Sequence, residues 1–172
     1  MSYIKEIKTR LLWLGIGLAA SLLIANLINS FEDVLQQNII LAAFIPLIVY
    51  MSDAVGTQME SIIIRELNAK RKFNFRSFMS RQFKIVLPVA IIIAVVSAVI
   101  LFFWQKDINL AYVVGIALFT GILSSLITGA VLPYIFWRLH EDPAEASGPI
   151  ATVLQDFLSV LVFFSVAHIF FG

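Results

Sequence analysis

The sequence of 172 residues has no cysteine, only two histidines and few charges: 13% of its residues are Asp, Glu, Lys or Arg. Without cysteine there can be no disulfide and no thiolate metal site, although this does not identify a redox compartment. The shortage of charge excludes an ordinary soluble domain, because too few polar groups remain to cover its surface. Hydrophobic residues take that place, at 60%. Enzyme signatures are missing too. There is no His-Glu-x-x-His zinc motif and no Gly-x-Ser-x-Gly nucleophile turn. The Gly-x-Gly-Asp element of intramembrane aspartyl proteases is also absent around Asp156. The chain is therefore expected to be a membrane protein, not an enzyme, with no cofactor. The length allows one domain, 1–172, with no separate soluble module. No cleavable signal peptide is expected, since no small-residue cleavage site follows the first apolar run.

A helix that crosses a bilayer needs about 20 apolar residues. Five stretches qualify, at about 11–29, 38–64, 85–104, 110–137 and 149–171. The expected fold class is all-α, a polytopic membrane protein of five transmembrane helices. The second and fourth stretches are longer than the bilayer requires, so tilts or bends are expected, with Pro46, Gly129 and Pro133 as bend points. Lys5, Lys8 and Arg10 precede the first stretch. Arg65, Lys70, Arg71, Lys72, Arg76, Arg81 and Lys84 crowd the link between the second and third, and Arg138 follows the fourth. The positive-inside rule then puts the amino terminus in the cytoplasm and, with five spans, the carboxyl terminus outside. The basic link is read as topogenic, with no nucleic-acid partner expected. Within it, 74–84 has the pattern of an amphipathic surface helix with Phe75, Phe78 and Phe83 dipping inward.

Two acids lie deep in apolar stretches. Asp53, Gly56 and Glu60 are spaced to share one face of the second span. Gly56 on that face permits close approach by a helix or a hydrated ion, and Gln58 points elsewhere and is expected to bond across helices. Asp53 either lines a hydrated cavity or is a structural hydrogen-bonding residue. Glu60 either pairs with the basic link or marks a pore mouth. In the fourth span Gly121, Ser125 and Gly129 recur every four residues, a stripe suited to tight packing, while Thr120 and Thr128 offer hydroxyls. Asp142 and Pro143 form a helix start, and Ser147-Gly148-Pro149 is expected to break and restart the chain. Glu141, Asp142 and Glu145 either attract divalent cations at the inner mouth or are solvated loop charges. Asp156 lies eight residues, about 12 Å of helix rise, beyond Gly148. Gly148, Thr152 and Asp156 therefore form a polar stripe that ends near the bilayer midplane.

These residues resemble the membrane domain of the MgtE magnesium transporter and channel family, from about 11 to 171. Pro46 followed by Gly56-Thr57-Gln58 is similar to the family's proline and its Gly-x-Gln signature. More specific is Asp142-Pro143-Ala144 with Ser147-Gly148-Pro149, then Thr152 and Asp156. The resemblance implies a homodimer in the cell membrane with an ion path on its two-fold axis. It also implies metal contacts at Asp156, Thr152 and Gly148, with two Asp156 carboxylates face to face. Two departures stand out. Ser52-Asp53-Ala54 replaces the Gly-Gly-Asn that many members carry, which adds an acid and removes an amide. Gly148 replaces a frequent side-chain amide. The family's amino-terminal cytoplasmic domain and paired regulatory domains have no counterpart in these residues, so gating through them is not expected in this chain. The five-span unit also resembles one half of the duplicated animal magnesium exchangers.

The expected cargo is a divalent cation, Mg2+ first, because hard cations take oxygen ligands and magnesium sheds water reluctantly. Four carboxylates from paired Asp53 and Asp156 would also suit Mn2+, Co2+ or Ca2+. His140 and His168 lie towards the helix ends, which disfavours soft metals. The alternatives are a sodium- or proton-coupled exchanger using Asp53 and Asp156, or a membrane assembly protein that does not transport.

Overall fold

A computed structural model describes residues 3–69 and 73–172; the side chains at 5, 6, 9, 10, 13 and 144–149 lie outside that description. Six α-helices follow one another: α1 (Tyr3–Asn29), α2 (Glu32–Gln37), α3 (Ile45–Ala69), α4 (Phe75–Gln105), α5 (Ile108–Arg138) and α6 (Pro143–Phe171). A 3-10 turn over Ile39–Phe44 leads into α3. Four stretches are long and apolar enough to cross a membrane: Ile39–Ala69, Phe75–Gln105, Ile108–Arg138 and Ile150–Phe171. Leu14–Asn29 is a shorter apolar helix.

The local rules explain most helix ends. Asn74 caps α4, its side chain accepting from Ser77 N at 3.0 Å. Asp107 caps α5, accepting from Asn109 N at 2.9 Å and Leu110 N at 3.1 Å. Pro143 opens α6, where the missing N–H costs nothing. Pro46 acts similarly. It falls in the first turn of α3, directly after the 3-10 turn, so the expected bend is a change of helix type at the entrance.

Two expectations are corrected. The 74–84 stretch is no separate surface helix, because α4 runs unbroken from Phe75 into the apolar run. Phe78 is buried, whereas Phe83 is 46% exposed. Nor does the backbone break at Ser147-Gly148-Pro149; α6 is continuous from Pro143. Pro149 has no N–H to donate, so it removes one helical hydrogen bond near the start of α6, and the helix continues past that gap. Lys70, Arg71 and Lys72 lie outside the described residues.

α5 is the central helix and packs against α3, α4 and α6. α1 touches chiefly α6, and most of its side chains are exposed. The interior has two apolar clusters. One gathers Leu41, Phe44, Ile48, Leu118, Phe163 and Phe164. The other gathers Met59, Ile63, Phe78, Val86, Ile122 and Leu126. Along the facing sides of α3, α5 and α6 runs a belt of small and polar residues, with Ser52, Gly56, Ser125, Gln155 and Ser159 all buried.

The α3–α5 contact is a backbone contact. A methyl group placed on Gly129 would fall on the carbonyl oxygen of Gly56 and lie 3.1 Å from Met59 Cβ. One placed on Gly121 would strike the Ser52 hydroxyl. Gly56 itself faces Ser125, whose Cβ would be 3.5 Å from an added methyl. Gln58, two residues round the helix from Gly56, is exposed. Phe73 and Phe75 meet Tyr134 and Trp137, so the start of α4 and the end of α5 share one end of the bundle. Arg65, Arg76, Arg81, Lys84 and Arg138 belong to that end by chain position, and Arg81 pairs there with Glu66. Lys106 sits at the opposite end, in the α4–α5 turn with φ 54°.

Gly129→Ala is expected to lower stability in detergent by about 1–3 kcal/mol, since a backbone carbonyl cannot move aside. Gly17→Ala is expected to be neutral or to stabilise by up to about 1 kcal/mol, because nothing lies within 4 Å of Gly17. Thermal unfolding of both variants, followed by circular dichroism, tests the pair.

Candidate functional site

Gln155 organises the polar belt. Its side chain is 2% exposed on α6. The amide oxygen accepts from the Thr128 hydroxyl of α5. The amide nitrogen donates to Ser159 Oγ at 3.1 Å, Ser124 Oγ at 3.3 Å and the Gly121 carbonyl at 3.4 Å. A buried amide needs such partners, since leaving it unpaired in an apolar setting costs several kcal/mol. This network locks the rotation of α6 against α5. Ser52 holds the matching place on α3, fully buried against Gly121, and its hydroxyl has no hydrogen-bond partner among the described residues.

The next residue on each helix is an acid, turned by about 100°. Asp53 follows Ser52, and Asp156 follows Gln155. Ser52 and Gln155 are buried, whereas both acids are half-buried. The two carboxylates are within Coulombic reach of each other. Neither has a hydrogen bond or ion pair among the described residues. Between α3, α5 and α6 lies a cleft of about 10 Å³, room for about one water. Asp53, Gly56, Thr57, Glu60, Thr152 and Gln155 are among its lining residues. Thr57 donates to the Asp53 carbonyl at 3.0 Å, so its hydroxyl is held close to the helix backbone.

The cleft thus brings together Asp53, Gly56, Glu60 and Thr152; Asp156 is not among its lining residues but lies within Coulombic reach of Asp53. Gly121, Ser125 and Gly129 lie at the α3–α5 contact, and Gly129 also lines the cleft. Glu141 and Asp142 are exposed before the start of α6. Gly148 and Glu145 lie on a helical stretch whose side chains fall outside the described residues. Among the described residues, no three His, Asp or Glu side chains gather as a metal-holding group. The residue that sequence reasoning missed is Gln155. Its signal was an amide four residues before Ser159 in an otherwise apolar helix, where only internal partners can satisfy it.

Gln155→Leu keeps the volume and removes the hub. The hydroxyls have helical fallbacks: Ser124 donates to Gly121 O at 2.8 Å and Ser159 to Gln155 O at 2.7 Å. Hydrogen bonds between helices in lipid contribute roughly 0.6 kcal/mol each. The expected loss is therefore about 1–2 kcal/mol. It should be visible as a lower unfolding temperature in detergent with helix content unchanged.

Comparison with known proteins adds an independent line. The family model for MgtE, described as a divalent cation transporter, matches residues 45–166. The chain is 34% identical over 164 residues to the magnesium transporter MgtE of Bacillus subtilis, covering 94% of this chain and 36% of that protein. Against the magnesium transporter MgtE of Enterococcus faecalis it is 31% identical over 169 residues, 97% of this chain and 37% of the relative. Against that of Thermus thermophilus it is 29% identical over 163 residues, 93% of this chain and 36% of the relative. The chain spans about a third of the length of these relatives. With a multi-pass helical bundle, a polar belt and this match across most of its length, the chain belongs to the MgtE family of the cell membrane.

Proposed function

We propose that this bundle conducts a divalent cation, Mg2+ first, along a path lined by Asp156 and Asp53. The observation that carries the reading is the pair of unpartnered, half-buried carboxylates on neighbouring helices, at mid-depth by sequence. A charged side chain at the centre of a bilayer costs about 2.5–3.5 kcal/mol on insertion scales. Two such acids are consistent with a face that meets water or a cation. The relatives' names as magnesium transporters support the choice of ion.

The chemistry suits a partly hydrated ion. Thr152 and Glu60 add oxygens on the same cleft as Asp53. Magnesium keeps several waters and binds through one or two carboxylates, so a sparse oxygen site is enough. The two acids repel each other when alone, and a divalent cation relieves that repulsion. A homodimer with its axis along this flank would double the carboxylates and shield them from lipid. Glu141, Asp142 and Glu145 would then stand near the mouth at the basic end. The distribution of Lys and Arg favours placing that end in the cytoplasm, with the amino terminus inside and the carboxyl terminus outside. The closeness of Asp53 to Asp156 also favours a second reading, exchange coupled to protons or sodium, because such a pair readily takes a small cation in turn.

Proteoliposomes loaded with a magnesium-sensitive dye test this. Asp156→Asn is expected to reduce Mg2+ entry about tenfold or more, the effect of roughly 1.4 kcal/mol or more of lost cation binding. Asp53→Asn should reduce it less. Flux that follows an imposed sodium or pH gradient would select the exchanger. Equal flux in wild type and Asp156→Asn would overturn the pathway, and no flux from correctly inserted wild type would favour an assembly role.

A further inference from the structure

α5 ends in an unusual way. Glu141 N donates to Phe136 O at 3.0 Å and His140 N to Trp137 O at 3.2 Å, the two bonds of a Schellman turn. The residue in the left-handed position is His140, with φ 62°, where glycine carries no Cβ penalty. A side chain kept at such a position points to a use for it.

The surroundings suggest the use. A recess of about 440 Å³ opens at this turn, lined among the described residues by Trp137, Arg138 and His140. Trp137 is held by Tyr134, with ring centroids 5.9 Å apart, and by Phe73 at 6.5 Å. Arg138 is exposed and has no ion pair among the described residues. α5 has 31 residues, about 46 Å of rise against a hydrocarbon core of about 30 Å. Its last turn therefore reaches the headgroup layer, where Trp and Arg anchor.

We propose that this recess binds the headgroup of an anionic glycerophospholipid, with the phosphate on Arg138 and His140 and the upper acyl chains against Trp137. Arg presents a planar fork that matches phosphate oxygens, and the imidazole supplies another donor. The Schellman bonds engage the Phe136 and Trp137 carbonyls, which lowers the number of free carbonyls at this helix end. Glu141, exposed on the same turn, disfavours a dianion. The site therefore suits the singly charged phosphodiester of phosphatidylglycerol better than the phosphomonoester of phosphatidate. This inference is independent of the ion path.

Trp137 can report on it. The full chain carrying Trp13→Phe and Trp104→Phe leaves Trp137 as its one indole. In detergent micelles, phosphatidylglycerol brominated near the headgroup end of its chains should quench it saturably, and unbrominated phosphatidylglycerol should reverse the effect. Brominated phosphatidylcholine and phosphatidate should bind more weakly. Arg138→Ala should weaken binding about tenfold, as for loss of one charge-assisted contact. His140→Gly should weaken it too while holding or raising the unfolding temperature, because glycine fits the turn; that separates a lost ligand from a lost fold. Arg76→Ala, at the same end but outside the recess, should leave binding unchanged. Quenching that does not discriminate between phosphatidylglycerol and phosphatidylcholine would overturn the site. So would indifference to Arg138→Ala and His140→Gly, or an equal loss in Arg76→Ala.

Discussion

The backbone contact between α3 and α5 is the constraint on which the rest depends. In lipid no hydrophobic force draws apolar helices together, so association relies on close packing and on hydrogen bonds between helices. Gly129 seated on the Gly56 carbonyl, and Gly121 against Ser52, supply the packing. This contact sets the rotation of α3. The Gln155 network sets the rotation of α6 against the same helix, using Thr128 and Ser124. With both helices fixed on α5, the residues one step further on, Asp53 and Asp156, are turned out of the buried belt to half-buried positions within Coulombic reach of each other. Their nearness follows from the two anchors and needs no attraction between them, which is as well, since like charges repel.

Much of this was legible in the residues, and the part that was not has a physical cause. The four-residue spacing of Gly121, Ser125 and Gly129 announced a packing face, and the acids in apolar runs announced a polar flank. A helical wheel gives directions within one helix but not which neighbour lies in each direction. Gln58 shows the limit. It was expected to bond across helices, and within the single chain it is exposed, away from the side of Gly56 that α5 occupies. Gln155 was overlooked for the complementary reason: beside Asp156 it looked like the lesser polar residue, and only the position of α5 makes it the hub.

The helix boundaries teach a similar lesson. Caps are local, so Asn74, Asp107 and Pro143 could be read from neighbours alone, and Asp142-Pro143 was identified as a start. Continuity is not local. Ser147-Gly148-Pro149 carries every sign of a break, yet α6 runs through it, and 74–84 has an amphipathic pattern, yet it forms the first turns of α4. At the start of α4 tertiary support outweighs propensity, which is a weak prior at best. The aromatic contacts of Phe73, Phe75 and Tyr134 are part of that support at the start of α4.

The unequal treatment of the two polar rows has a consequence for the whole assembly. Residues that face α5 are fully buried and, apart from the Ser52 hydroxyl, hydrogen-bonded within the chain. Residues on the flank are half-buried and include carboxylates with no partner in the described chain. A monomer alone in lipid would expose that flank at a cost of several kcal/mol. Burying the acids under more of the same chain would not help, because a carboxylate in a dry interior costs still more than one at a wet surface. The arrangement lowers its free energy only when the flank meets something polar: water, a cation or a matching surface. A bundle sealed on the α5 side and acidic on the other therefore fits the proposed reading, in which that flank meets water or a cation.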